Sequence, residues 1–143
     1  PRAAGAHRLL PRPHPPRPLL VRRHQSPPEV RGRLLTRAGH RVTTAISVTG
    51  ARRAAEAGIF DAVISDVGLP DGTGYELMEK LRSEHELRGI ALSGYGMDED
   101  LRRSEEAGFA AHLTKPIDFT QLERALVDLM AGSIAQRESS RAR

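Results

Sequence analysis

The chain has 143 residues and a mass of 15.7 kDa, which is the size of one ordinary domain. It contains no cysteine, which excludes disulfides, thiolate zinc sites and cysteine nucleophiles, and no apolar run long enough to predict a membrane-spanning helix. Aromatic residues make up only 3% of the chain, so a surface that stacks nucleic-acid bases is not expected.

The net charge of +4 hides a division of the chain into a basic start and an acidic remainder. Residues 1–41 hold ten arginines and one acid, whereas residues 42–143 hold twelve basic and seventeen acidic residues. Eight of the ten prolines lie in residues 1–28. A segment of this composition cannot bury an apolar core, so the folded part of the chain is expected downstream of it.

Three regions follow: a Pro/Arg-rich flexible arm or linker at 1–17, a globular domain at 18–131 and a polar tail at 132–143. The arm lacks the continuous apolar stretch of a secretory signal, and its many prolines and few serines argue against a transit peptide. A shifted reading frame upstream of Val30 is an alternative source of the same composition. Binding of nucleic acid or an acidic partner by the arm rests on its charge alone, so we do not expect nucleic-acid binding.

From Pro18 onward, strand-like and helical patterns alternate. The strand-like segments are Pro18–Val21, His40–Ala45, Phe60–Ser65, Ile90–Ser93 and Ala110–Thr114. The helical patterns cover Pro27 to Gly39 with Ser26 as N-cap, Ser47 to Gly58, Tyr75 to about His85, Asp98 to Ala107, and about Phe119 to Met130. Five strand-then-helix units in strict alternation predict a doubly wound α/β domain with a parallel sheet and helices on both faces.

In such a sheet the working residues stand just beyond the carboxyl ends of the strands. Asp66, Ser93 and Lys115 occupy three of these positions. A carboxylate can act as the nucleophile toward an activated phosphoryl group, and a hydroxyl and an ammonium can hold the new phosphoryl oxygens. The sequence therefore predicts a phosphoryl-accepting site, with a cis peptide bond before Pro116 as an option for the tight turn beside it.

These residues stand in stretches with a specific resemblance. The stretches are Phe60–Gly74, Ala91–Gly94 and His112–Pro116, and between Pro18 and Met130 the chain resembles a receiver domain of two-component signalling, the response-regulator family. The sequence of residues 93–96 and 107–116 resembles that of receivers at the C-terminus of hybrid histidine kinases. The resemblance implies a flavodoxin-like fold with strand order 2-1-3-4-5, a cytoplasmic location and no separate enzymatic activity.

The resemblance also implies a role for each site residue. Asp66 would accept a phosphoryl group from a histidine kinase or phosphotransfer protein, Lys115 would bind it, and Ser93 would be the switch hydroxyl. His112 stands where the family places its rotating aromatic side chain. An output partner is expected on the face formed by the fourth helix, fifth strand and fifth helix, which includes Tyr95, Met97 and His112.

The family carries two adjacent acids after the first strand, which hold Mg²⁺ together with the acceptor aspartate. This chain has Arg22 and Arg23 at those positions, so only Asp66 and the Gly68 backbone remain as expected metal ligands. Mg²⁺ is implied by the family but opposed by these residues. We expect the Arg23 guanidinium to pair with Asp66, either masking it or supplying the positive charge of the metal, and we favour masking.

Two functions follow. The first is a phosphorelay receiver that is switched through Asp66. The alternative is a pseudo-receiver that keeps the fold and the partner surface without Mg²⁺-dependent phosphorylation. The Arg22–Arg23 pair is the feature that separates them.

Overall fold

The structure, a computed structural model, describes residues 16–23, 30–94 and 98–141 of the chain. Five parallel strands form one sheet: β1 Pro18–Val21, β2 Thr43–Ala45, β3 Ala62–Asp66, β4 Gly89–Ser93 and β5 Phe109–Thr114. Five helices accompany them: α1 Val30–Arg37, α2 Val48–Ala57, α3 Gly74–His85, α4 Asp98–Ala107 and α5 Phe119–Arg141. The strand order is β2-β1-β3-β4-β5, which confirms the predicted flavodoxin-like topology.

The sheet separates two apolar cores because successive side chains of a buried strand point to opposite faces. On β1, Leu19 packs into one core and Leu20 into the other, and both are fully buried. One core contains buried residues of α2, α3 and α4, and the other contains buried residues of α1 and α5. The helices therefore cover both faces of the sheet, as the continuous apolar strands predicted.

Local sequence signals explain where several helices begin. Ser47 caps α2 by accepting a hydrogen bond from the Gly50 amide at 2.9 Å. Thr73 caps α3 in a reciprocal capping box with Glu76, which the sequence analysis did not identify. The loop between β3 and α3 contains a short antiparallel ribbon that pairs Gly68–Leu69 with Gly72–Thr73.

Two element boundaries differ most from the predictions. The second strand is shorter than predicted, because it begins at Thr43 rather than His40. The last helix continues to Arg141, since one glycine within a long helical stretch lowers helix stability without ending it. The helix predicted from Pro27 is described from Val30 onward, and its proposed cap, Ser26, lies outside the described residues.

The folded domain also begins slightly earlier than Pro18. The Arg17 amide donates to Asp61 Oδ2 at 2.8 Å, and the Arg17 carbonyl accepts from the Asp61 amide at 2.9 Å. The Pro16 carbonyl accepts from the Arg41 amide at 2.8 Å. Pro16 and Arg17 are therefore hydrogen-bonded to the folded domain, whereas residues 1–15 lie outside the described part of the chain. None of the described helices has the length and apolar character needed to cross a membrane.

Candidate functional site

The predicted site residues meet at the carboxyl edge of the sheet, because the parallel strands run in register. Val21 of β1 pairs with Ser65 of β3, which places Arg22 beside Asp66. The register continues from β3 to β4, where Asp66 pairs with Leu92, the residue before Ser93. On the far side, Lys115 follows β5, and its amide donates to the Ser93 carbonyl at 2.7 Å. Four strand ends thus converge on Asp66.

Asp66 is almost completely buried, with 2% of its surface exposed, and its two oxygens have different partners. Oδ2 accepts a hydrogen bond from the Arg23 amide at 3.1 Å. Oδ1 lies 3.0 Å from the Lys115 ammonium, and no aligned hydrogen bond reaches that oxygen from the described residues. The contact with Lys115 is therefore an ion pair, and Oδ1 is the oxygen whose lone pairs are less occupied.

The third partner of Asp66 was not predicted. The Arg31 guanidinium of α1 lies 3.7 Å from Oδ1, while Arg23 is exposed and contacts Asp66 only through its backbone amide. The expectation that the Arg23 guanidinium pairs with Asp66 was wrong, because the chain leaves β1 with the Arg23 amide directed at the carboxylate. A basic residue in the first turn of the helix that follows β1 was the available signal, since that turn lies near the carboxyl edge.

Ser93 and His112 belong to a chain of hydrogen bonds that leads away from Asp66. Ser93 Oγ lies 2.7 Å from His112 Nε2, and Ser104 Oγ of α4 lies 2.6 Å from His112 Nδ1. Ser104 also forms a hydrogen bond with Tyr75 of α3. The imidazole therefore bridges two hydroxyls, one at the end of β4 and one on α4, rather than pointing away from the protein.

Tyr75 ends this chain in a mostly buried environment. Burial raises the pKa of its phenol, the negative charge of Asp100 adds to that effect, and the Ser104 hydrogen bond and the Arg103 charge oppose it. The Arg103 guanidinium stacks on the Tyr75 ring, 4.4 Å from the ring centroid. At neutral pH the phenol is therefore protonated.

Asp71 is a structural residue of the loop after β3. Its carboxylate accepts hydrogen bonds from the Val48 amide at 2.7 Å, and from the Thr49 amide and hydroxyl at 3.0 and 2.9 Å. The two backbone hydrogen bonds lower the pKa of Asp71 below its ordinary value of 3.8. Asp71 thus attaches the loop to the first turn of α2.

Gly74 holds the same loop against Asp66. A Cβ atom at this position would overlap the Asp66 carbonyl oxygen and lie 3.1 Å from the Val67 Cα. The Gly74 amide donates to the Val67 carbonyl at 2.6 Å, which completes this close approach. Only glycine fits here, and this requirement explains the second glycine of the Gly72-Thr73-Gly74 sequence.

The residues at this edge do not fit Mg²⁺. The ion requires several hard oxygen ligands, and the site offers one carboxylate whose Oδ2 is already hydrogen-bonded. Arg22, 8% exposed, and Arg23 stand where acids were needed, and Arg31 and Lys115 add positive charge at Oδ1. Among the described residues no group of three or more histidine, aspartate or glutamate side chains is placed to hold a metal, and Gly68 contributes only its backbone.

The comparisons with known proteins agree with the geometry. The model of the response regulator receiver domain matches residues 19–127, which is most of the chain. This chain belongs to the response regulator receiver family. The fold and the two-component assignment implied by the resemblance are thereby confirmed.

Three similar proteins illustrate the breadth of the match. The sensory/regulatory protein RpfC of Xanthomonas campestris is 32% identical over 121 residues, which cover 79% of this chain and 16% of RpfC. A putative response regulator from Chloroflexus aurantiacus superposes with a TM-score of 0.76 at 28% identity, over 82% of this chain and 98% of that one. The chain spans half or less of the length of the curated relatives compared.

The third comparison bears on the metal. The receiver domain of sensor histidine kinase PA1611 from Pseudomonas aeruginosa has a TM-score of 0.73 at 28% identity, over 82% of this receiver and 98% of that one. That structure has a magnesium ion coordinated in its active site cleft. Receivers of this fold therefore include metal-binding members. In the present chain, Arg22 and Arg23 follow β1.

Proposed function

We propose that this receiver accepts a phosphoryl group on Asp66 from a histidine kinase or phosphotransfer protein, and that the modification changes its face of α4, β5 and α5. One observation carries the proposal. At the carboxyl edge of a receiver fold, the Lys115 ammonium lies 3.0 Å from Oδ1 of a buried aspartate. An ammonium in that place can neutralise a phosphoryl group on the same oxygen.

The transfer is a displacement at phosphorus. Oδ1 donates an electron pair to phosphorus and forms the O–P bond of an acyl phosphate, while the P–N bond of the donor phosphohistidine breaks. The imidazole of the donor leaves with the electron pair of the broken P–N bond and takes a proton. The Arg23 amide holds Oδ2 and so fixes the carboxylate plane, and Lys115 accompanies Oδ1 throughout.

The switch begins at Ser93. A phosphoryl group on Asp66 offers strong acceptor oxygens, so the Ser93 hydroxyl rotates to donate a hydrogen bond to it. Ser93 thereby loses its hydrogen bond with His112. His112 keeps its hydrogen bond with Ser104, so the rearrangement is transmitted to α4. The proposal therefore keeps the switch roles of Ser93 and His112 and adds Ser104 as the next residue in the chain.

Exposed apolar side chains support the partner face. Leu101 of α4 is 41% exposed and Val127 of α5 is 60% exposed. Both helices pack on β5, so these two side chains are candidate contacts for a partner that binds this face. Tyr95 and Met97, which were assigned to the same face, lie outside the described residues. A kinase-linked, cytoplasmic setting without separate enzymatic activity is part of this proposal, and the likeness to the PA1611 receiver supports the kinase link.

Labelling with a small-molecule phosphodonor tests the proposal. The full chain is incubated with acetyl phosphate or with a phosphorylated histidine kinase domain, with Mg²⁺ and with EDTA, and its intact mass is recorded. We expect one phosphoryl adduct that hydroxylamine removes and that Asp66→Asn abolishes. Asp71→Asn is the matched control, since Asp71 lies in the neighbouring loop and should leave labelling intact. An adduct that persists in Asp66→Asn, or no adduct under any of these conditions, would overturn the proposal.

A further inference from the structure

Positive charge dominates the surroundings of Asp66. Arg22 and Arg23 follow β1, and the Arg31 guanidinium and the Lys115 ammonium both approach Oδ1 of Asp66, so two cations contact one carboxylate oxygen. A cluster with this excess attracts anions and repels divalent cations. Arg31, which lies on a different element, therefore adds to the positive charge of the arginines that follow β1.

A groove of about 320 Å³ opens beside the acceptor. We call it the cationic groove, and it is lined by Arg31, Leu34, Lys115, Pro116, Ile117 and Phe119. The Arg31 and Lys115 side chains are 22% and 36% exposed, whereas that of Asp66 is 3% exposed. A ligand entering the groove thus meets the two cations, with the carboxylate beneath them.

The spacing of the two cations suits a tetrahedral anion. Arg31 Nη1 and Lys115 Nζ both approach the same oxygen, Oδ1 of Asp66, so one small oxyanion can contact both. The other lining residues are apolar, so Arg31 and Lys115 are the charged groups of the groove lining. Guanidinium and ammonium groups are the usual protein ligands of phosphate oxygens.

We propose that the cationic groove binds a phosphate-class oxyanion directly, through Arg31 and Lys115 and without a divalent cation. Binding is noncovalent and goes beyond the proposed function, because it requires no phosphoryl transfer. The receiver of PA1611 has a magnesium ion in its active site cleft, whereas here Arg31 would supply positive charge beside Asp66. A phosphodonor would then be oriented over Asp66 by the protein's own side chains.

Titration of the full chain with inorganic phosphate tests this inference. Binding is followed by calorimetry and by amide chemical shifts in EDTA, at constant ionic strength maintained with chloride. We expect saturable binding that added Mg²⁺ does not strengthen. Arg31→Gln should weaken it by about tenfold or more, because a charged contact is lost. Arg33→Gln is the control: it removes the same charge from an exposed position of α1 that does not line the groove.

A second variant separates this site from phosphoryl acceptance. Asp66→Asn cannot form an acyl phosphate, and it removes the carboxylate that competes for Arg31 and Lys115, so phosphate should bind more tightly than to the unmodified chain. The inference is overturned if no saturable binding occurs in EDTA, if Mg²⁺ is required, or if Arg31→Gln and Arg33→Gln weaken binding equally. Should Arg31→Gln fail to fold, weaker binding to Asp66→Asn would be sufficient to reject it.

Discussion

Replacing Asp66 by asparagine should destabilise this receiver, because the carboxylate stands among cations. Asparagine preserves the shape of the side chain and can still accept from the Arg23 amide, so the change isolates the charge. At 3.0 and 3.7 Å, the contacts of Oδ1 with Lys115 and Arg31 are together worth roughly 2.5 kcal/mol even in a water-like dielectric. The variant also avoids the cost of burying a charge, which offsets part of this loss.

We therefore expect the free energy of unfolding to fall by about 1–2 kcal/mol, which lowers the midpoint of thermal unfolding by roughly 3–8 °C. Urea and thermal unfolding are followed by circular dichroism in phosphate-free buffer, at low and high chloride. The loss should shrink in high salt, because the cations that contact Asp66 are partly exposed.

Glu106→Gln on α4 is the control for this measurement, since it removes a negative charge from an exposed position away from the carboxyl edge. It should change stability by less than about 0.5 kcal/mol. An Asp66→Asn variant as stable as the unmodified chain, or more stable, would refute the view that the protein's own cations neutralise the acceptor.

Three further predictions concern the same loops and strand ends. The double change Arg22→Glu with Arg23→Asp should create Mg²⁺ binding, measured by calorimetry, and speed phosphodonor labelling of Asp66 by orders of magnitude; strong Mg²⁺ binding and fast labelling of the unmodified chain would contradict this. His112→Phe should lower stability by about 1–3 kcal/mol, because two hydroxyls lose their partner, and should abolish phosphorylation-dependent shifts of α4 amides while Asp66 is still labelled. Asp71→Asn should lower the urea midpoint at pH 7. Because folding lowers the pKa of Asp71, the stabilisation from its carboxylate is present above pH 3.8 and is lost as the pH falls through the pKa of the folded state. The stabilities of the two proteins should therefore become equal in acid. A stability difference that does not change with pH would show that the charge is not responsible.

The parallel sheet and the position of Asp66 could be predicted from sequence, because both depend on local patterns, whereas the strand order was implied by the resemblance to receiver domains. Five apolar runs alternate with segments of helical periodicity, and this alternation with short loops predicts a parallel sheet. Once that sheet is accepted, the residues after each strand must share an edge, which brings Asp66, Ser93 and Lys115 together. Their chemistry follows from residue type alone.

The contacts of individual side chains depended on the tertiary structure. Sequence placed Arg23 beside Asp66 but could not show that its amide, rather than its guanidinium, faces the carboxylate. Arg31 reaches Asp66 because packing sets the distance of α1 from the sheet, which no spacing along the chain encodes. In the same way, Ser104 meets His112 through the packing of α4 on β5. Local sequence determines which residues stand at the carboxyl edge, and helix packing determines which charges neutralise the acceptor.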